Sequence, residues 1–124
     1  MLHLKGKIYF YTKEESTKAR NMDMPTGMIM VRAIKNAVGK QVYSPHFNFG
    51  DDSLWSGTII VDKDINTVKL GKEYEADIFV LFVTDEVFEE KKYLITVGKE
   101  YKLQEATRIV GRVILNKYEY IRIY

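Results

Sequence analysis

From residue 97 to residue 115 the chain alternates apolar and polar side chains on either side of Glu105-Ala106-Thr107. A period of two belongs to strands that keep one face in a core. The segment therefore predicts two antiparallel strands, 100–104 and 107–115, joined by a short turn. The same period over residues 7–13 sets Ile8, Phe10 and Thr12 against Lys7, Tyr9, Tyr11 and Lys13, which predicts a first strand. Residues 47–50 and 54–61 are aromatic and β-branched runs parted by Gly50-Asp51-Asp52-Ser53, whose composition is that of a turn. They are expected to be neighbouring strands. Residues 74–83 place Tyr74, Ala76, Ile78, Val80 and Phe82 on one face and become apolar on both faces after Asp77. The second half of that strand is expected to be buried.

Between residues 84 and 92 the period changes. Thr84 is placed to cap a helix of about two turns, with Val87 and Phe88 inward and Glu86, Glu89 and Glu90 outward. Strands are expected again at 93–97 and 119–123, with Asn116-Lys117 as the turn before the last. Many short strands at close spacing, with no strand–helix–strand rhythm, predict an all-β fold. The expected architecture is a small antiparallel closed barrel of roughly six to eight strands.

Composition narrows the function more than the fold. The 124 residues fit one domain, 1–124, with a single core. A formal charge of +2 is too small to bind nucleic acid by bulk electrostatics, so any RNA contact depends on where the cations sit. The absence of cysteine removes disulfides, thiolate metal sites and a cysteine nucleophile, and fits a reducing compartment, so a cytoplasmic location is expected. The first seven residues lack an apolar signal core, and no uncharged run is long enough to cross a bilayer. Neither export nor membrane insertion is expected.

The hairpin carries Gly98, Tyr101, Leu103, Glu105, Arg108, Val110 and Gly111 in an order that resembles the closing hairpin of the C-terminal β-barrel, the third domain, of translation elongation factor Tu. Tyr11-Thr12-Lys13-Glu14-Glu15 is similar to the end of that barrel's first strand. Tyr43-Ser44-Pro45-His46-Phe47-Asn48-Phe49 resembles its Tyr-x-Pro-x-Phe-x-Phe strand, and Trp55-Ser56-Gly57-Thr58-Ile59 its x-x-Gly-Thr-Ile segment. Val68-Lys69-Leu70-Gly71-Lys72 is similar to its Met-Pro-Gly-Asp turn. The motifs keep the family's order from Tyr11 to Gly111.

The resemblance implies a lone barrel without its motor. No Gly-x-x-x-x-Gly-Lys-Ser/Thr loop, whose amides would hold phosphates, occurs in the sequence, so neither nucleotide binding nor GTP hydrolysis is expected. In the family this barrel lies along the T stem of aminoacyl-tRNA and touches the nucleotide-exchange factor and the GTPase domain. By that resemblance His46 matches a tRNA-facing polar residue and Arg108 the basic residue of the hairpin, with Lys13 and Lys99 sharing the surface. Ala106-Thr107 stand where the family has two glycines, and Leu70-Gly71 where it has Pro-Gly. Those losses remove conformational freedom from contacts made through bare main chain.

Residues 16–42 form an insertion where the family has a short connection. Met22, Met24, Met28 and Met30 all lie in it, and Met28-Ile29-Met30-Val31-Arg32-Ala33-Ile34 is a nearly continuous apolar run after Pro25-Thr26-Gly27. Structureless loops beyond about 12–15 residues are uncommon in compact domains. One reading makes this run an added strand or short helix over one barrel end. The other makes Met22, Met24, Met28, Met30 and Arg32 a partner-docking surface, since methionine adapts to irregular contacts. Lys18, Arg20, Arg32, Lys35 and Lys40 flank the segment and Asp23 is its one acid, so it forms a small basic surface.

Catalytic chemistry finds little footing. His3 is expected in a mobile terminus, and two histidines without cysteine do not make a tetrahedral zinc site, so neither metal nor cofactor is expected. His46 would need a nucleophile or an orienting carboxylate to act as a base. Asp51, Asp52 and Ser53 follow it closely, but a strand ending in a turn accounts for them. Glu86, Glu89, Glu90, Lys91 and Lys92 have the spacing of a solvated helical face. Tyr9, Tyr11, Phe47, Phe49 and Trp55 could stack bases, although Phe47 and Phe49 are assigned to the core. The sequence thus predicts a non-enzymatic binding module. Its expected partner is a protein, engaged through residues 16–42 and the adjoining barrel edge; the alternative is structured RNA along Lys13, His46, Lys99 and Arg108.

Overall fold

The computed structural model describes residues 1–15, 24–25, 45–50, 54–62, 65, 67–105 and 108–122. Alternation does in space what it promises in sequence. In β1 (Leu2–Phe10) the side chains of Leu2, Leu4, Ile8 and Phe10 turn inward and are buried, and in β7 (Glu73–Val80) those of Tyr74, Ala76, Ile78 and Val80 do the same. β3 (His46–Asn48), β4 (Leu54–Ser56), β5 (Thr58–Val61), β8 (Glu100–Glu105) and β9 (Arg108–Tyr120) complete an antiparallel sheet of seven strands. Its order is β4-β3-β8-β9-β1-β7-β5. A two-residue pair, β2 (Met24–Pro25) with β6 (Thr67–Val68), stands apart from it. The inner face collects Phe10, Phe47, Phe49, Ile59, Ile78, Leu103 and Leu115 into one core. Each large side chain so buried contributes about 2 kcal/mol relative to exposure.

The sheet curls into a half-barrel and does not close, which corrects the closed cylinder expected from the strand pattern. The reason lies in one stretch of chain. The edge strands β4 and β5 are consecutive, separated only by Gly57. Up to Gly57, whose N–H donates to the Pro45 carbonyl at 3.2 Å, the chain belongs to the β3 ladder; from Thr58 it belongs to β7. β7 ends at Val80, so β4 is paired only with β3 and β5 only with β7, and both remain edges. Only glycine fits at the joint, because a Cβ there would sit 2.6 Å from Phe47 Cε2 and 2.9 Å from Ile78 Cγ2.

Other expectations change in detail. His3 is not in a loose terminus but within β1, its ring stacked on Phe79 at 4.5 Å and its Nε2 2.8 Å from Asp77 Oδ1. Residues 93–97 do not form a strand: a 3-10 turn (Lys92–Leu94) follows the helix, and the Tyr101 hydroxyl serves the backbone beyond it. That hydroxyl donates to the Leu94 carbonyl at 2.6 Å and accepts from the Thr96 N–H at 2.7 Å. Asn116-Lys117 is not a turn. β9 runs on to Tyr120, and the extra residue Asn116 is absorbed as a bulge opposite Lys5 and Gly6.

Of the insertion, only Met24–Pro25 falls among the described residues, where Met24 pairs with Val68. Met22, Met28, Met30 and Arg32 lie outside them, as do Ala106 and Thr107. No described helix is long and apolar enough to cross a membrane.

Candidate functional site

The four residues assigned to an RNA surface do not converge. His46 stands half-buried on the outer face of β3 beside Gln104 of β8. Arg108 opens β9 at the tip of the hairpin and is held by Glu105 at 2.9 Å. Lys13 follows the end of β1, near the same tip, because Tyr11 donates its N–H to the Val110 carbonyl at 2.9 Å. Lys99 lies at the other end of the hairpin, with its Nζ 5.4 Å from the centre of the Tyr101 ring. The rungs Glu100↔Ile114 and Glu105↔Arg108 are five residue steps apart along β8, roughly 17 Å at the usual rise.

Between these ends the outer face of β8, β9 and β1 carries a network built on register. Arg112 faces both Lys102 and Tyr9 across the ladders. Its guanidinium lies 4.3 Å from the Tyr9 ring centre, and its Nε is 3.5 Å from Glu100. Lys102 Nζ donates to Glu100 at 3.0 Å and to the Tyr11 hydroxyl at 3.1 Å. The Tyr9 hydroxyl donates to Glu15 at 2.7 Å. These bonds hold Glu15 below the usual carboxylate range, first through Tyr9, and raise Tyr9. Tyr11 and then Glu100 raise Lys102. Cations, acids and rings here satisfy one another. Among the described residues His46 makes no ion pair, and no described group of three or more His, Asp and Glu side chains is arranged to hold a metal.

A different chemistry occupies the open seam. Thr84 caps α1 (Asp85–Lys91), its Oγ1 accepting from the Val87 N–H at 3.2 Å, and Phe88 is buried against the Tyr120 ring at 4.1 Å. The Tyr120 hydroxyl donates to Asp85 at 2.6 Å, and burial followed by that bond pushes its pKa up to about 12. β7 stops at Val80, and Leu81 and Phe82 form a turn ahead of Thr84. Phe82 is therefore not buried as the alternation predicts; it is 95% exposed. Val87, expected to face inward with Phe88, also remains exposed, since successive residues on a helix diverge by about 100°. With Leu54 of β4 these two side chains rim a cavity of about 290 Å³, whose floor is Trp55, Val80 and Val83.

This site is not among those expected from the sequence; the capping threonine two residues after Phe82 is the signal that could have found it, because a helix start limits how far the preceding strand can run. A wider depression of about 330 Å³ lies at the bulge, but its chief acid, Asp77, is already held by His3 and Lys5. The fold and the seam together define an all-β half-barrel with an apolar-rimmed cleft beside β4. No family model and no curated protein matches the chain.

Proposed function

We propose that the chain is a non-enzymatic binding module, related in fold to the third domain of elongation factor Tu, and that its partner is a protein. The observation that carries this reading is the exposure of Phe82 beside Leu54 and Val87 at an open cleft. Contiguous apolar groups of this kind mark interaction surfaces, because leaving an aromatic ring in water forfeits about 2–3 kcal/mol that burial would return. The burial of Phe47 and Phe49 with His46 outward supports the likeness of that segment to the family's Tyr-x-Pro-x-Phe-x-Phe strand. The RNA alternative has less support: phosphate binding needs uncommitted cations close together, whereas Arg108 is paired and Lys99 lies at the far end of the hairpin.

The test is a benzophenone amino acid placed at position 82 in the producing cell. The expected result is a discrete protein adduct that does not form from position 7, on the outer face of β1. Adducts with RNA alone, or none from position 82, would overturn the proposal.

A further inference from the structure

The seam has the polarity of a missing strand. The Gly57-to-Pro45 hydrogen bond sets the parity of the β3–β4 ladder. In an antiparallel pair hydrogen-bonded residues alternate with residues that face away. Trp55 is thus bonded to Phe47, while the N–H and C=O groups of Leu54 and Ser56 point out of the sheet, toward the cleft. Thr58, in step with them, pairs with Phe79 of β7. Continued by two residues at a time, that register would set Ser56 opposite Leu81 and Leu54 opposite Val83. β7 has already turned away there, so Leu54 and Ser56 have no backbone partner on that side among the described residues. Unpaired edge groups beside an apolar cavity are what strand addition requires.

The charge around the cavity selects the occupant further. Helix α1 forms one wall and carries Asp85, Glu86, Glu89 and Glu90. Asp85 is bonded to Tyr120, and Glu89 to Lys92 and Arg122. Glu86 and Glu90 have no ion pair among the described residues. Glu86 adjoins Val87, and Glu90, three residues beyond it, lies on the same side of the helix. Resting on the reading that this cleft docks a protein, we propose that it accepts an extended segment of that partner, hydrogen-bonded to Leu54 and Ser56. The segment places an apolar side chain between Phe82 and Trp55 and carries a Lys or Arg beside Glu86 and Glu90.

Selection of random decapeptides by phage display on the full chain, followed by fluorescence polarisation with the enriched peptides, tests this. The expected winners alternate apolar and polar positions and include a basic residue. Phe82→Glu and Ser56→Pro each weaken them at least tenfold, and Glu86→Gln with Glu90→Gln weakens them about threefold. Ser56→Pro deletes the outward N–H and leaves the donors of the β3–β4 ladder in place. Should it perturb folding, N-methylation of alternate amides in the best peptide serves instead, with loss of binding confined to one parity.

Winners with helical spacing that depend on Phe82 but ignore Ser56→Pro and N-methylation would sink strand addition and leave the docking site standing. Winners indifferent to Phe82→Glu would sink both. A concentration-dependent dimer in ultracentrifugation, dissolved by Phe82→Glu, would give the cleft to a second copy of this chain. A synthetic peptide of residues 26–36 that displaces every winner would give it to the chain's own segment. Either result overturns the proposal.

Discussion

The outer face around Tyr9 and the seam around Phe82 are both exposed and both rich in aromatic residues, yet they differ in what they leave undone. On the outer face Tyr9 sits beside Arg112 and Tyr11 beside Lys102, and both cations lie beside Glu100. A ligand arriving there must break bonds the protein has already made. At the seam the rings have no such company, and Phe82 and Leu54 meet water across an empty cleft. Aromatic content therefore does not locate a binding surface; aromatic surface without an internal partner does.

The sharpest test of that contrast sets two phenylalanines against each other. Phe47 is fully buried under Gly57, and Phe82 is almost fully exposed. Phe47→Ala is expected to cost about 3–5 kcal/mol, read as a lower denaturant midpoint in urea. Phe82→Ser should change stability by less than about 0.5 kcal/mol while abolishing peptide binding at the seam. Equal losses from the two variants would mean that Phe82 packs in solution and that the cleft is not open. Next in size, Gly57→Ala pushes a methyl group against Phe47 and Ile78 at the joint between the two edges, and should cost about 1–3 kcal/mol. A neutral outcome would show that β4 and β5 can move apart freely and that the seam has no fixed width.

The sequence made one of these regions far more legible than the other. The strands expected at residues 74–83 and 107–115 declare themselves through a period of two, and strands do lie there, at Glu73–Val80 and Arg108–Tyr120. The short helix is also found where the period changes, with Thr84 as its cap. Closure was not legible, because it depends on whether residues 54–61 make one strand or two, and the kink at Gly57 comes from contacts with Phe47 and Ile78 that are distant in sequence. Phe82 was misjudged because alternation says which side a residue would face but not where the strand stops. Of the basic residues assigned to RNA, Lys99 and Arg108 already stand at opposite ends of the hairpin that the alternation predicts, and the register agrees.

Smaller effects probe the wall of the seam. Thr84→Ala removes the hydroxyl that accepts from Val87 and should destabilise by about 1 kcal/mol. Peptide affinity is expected to fall with it, because Val87 and Glu90 ride on that helix. Loss of stability without loss of affinity would detach α1 from the binding site. Tyr120 anchors the same helix through Asp85, and its folded pKa of about 12 lies above the ordinary 10.0. A raised pKa means that the neutral form is favoured by folding, so this contribution is complete below pH 10.0 and is lost as the pH rises toward 12. Tyr120→Phe should flatten stability across that window. A near-ultraviolet titration that ionises Tyr120 together with the exposed tyrosines would remove the effect.

The smallest expected effect belongs to the outer face and asks whether its network is as self-satisfied as its geometry implies. Glu15 accepts from the Tyr9 hydroxyl and from the N–H and hydroxyl of Thr12, and the Tyr9 bond is the largest cause of its lowered pKa. A carboxylate depressed in the folded state adds stability above its ordinary value of 4.5 and loses it as the pH falls through the folded value. The acid limb of the stability profile below pH 4.5 should therefore be shallower in Glu15→Gln than in the parent. Tyr9→Phe should remove most of the same slope, because it takes away the leading partner and leaves Thr12 in place. If Tyr9→Phe leaves the acid limb intact, the pairing on this face is slack. Its cations would then be freer for an outside ligand than those of a closed network, and the distinction between the two surfaces would narrow accordingly.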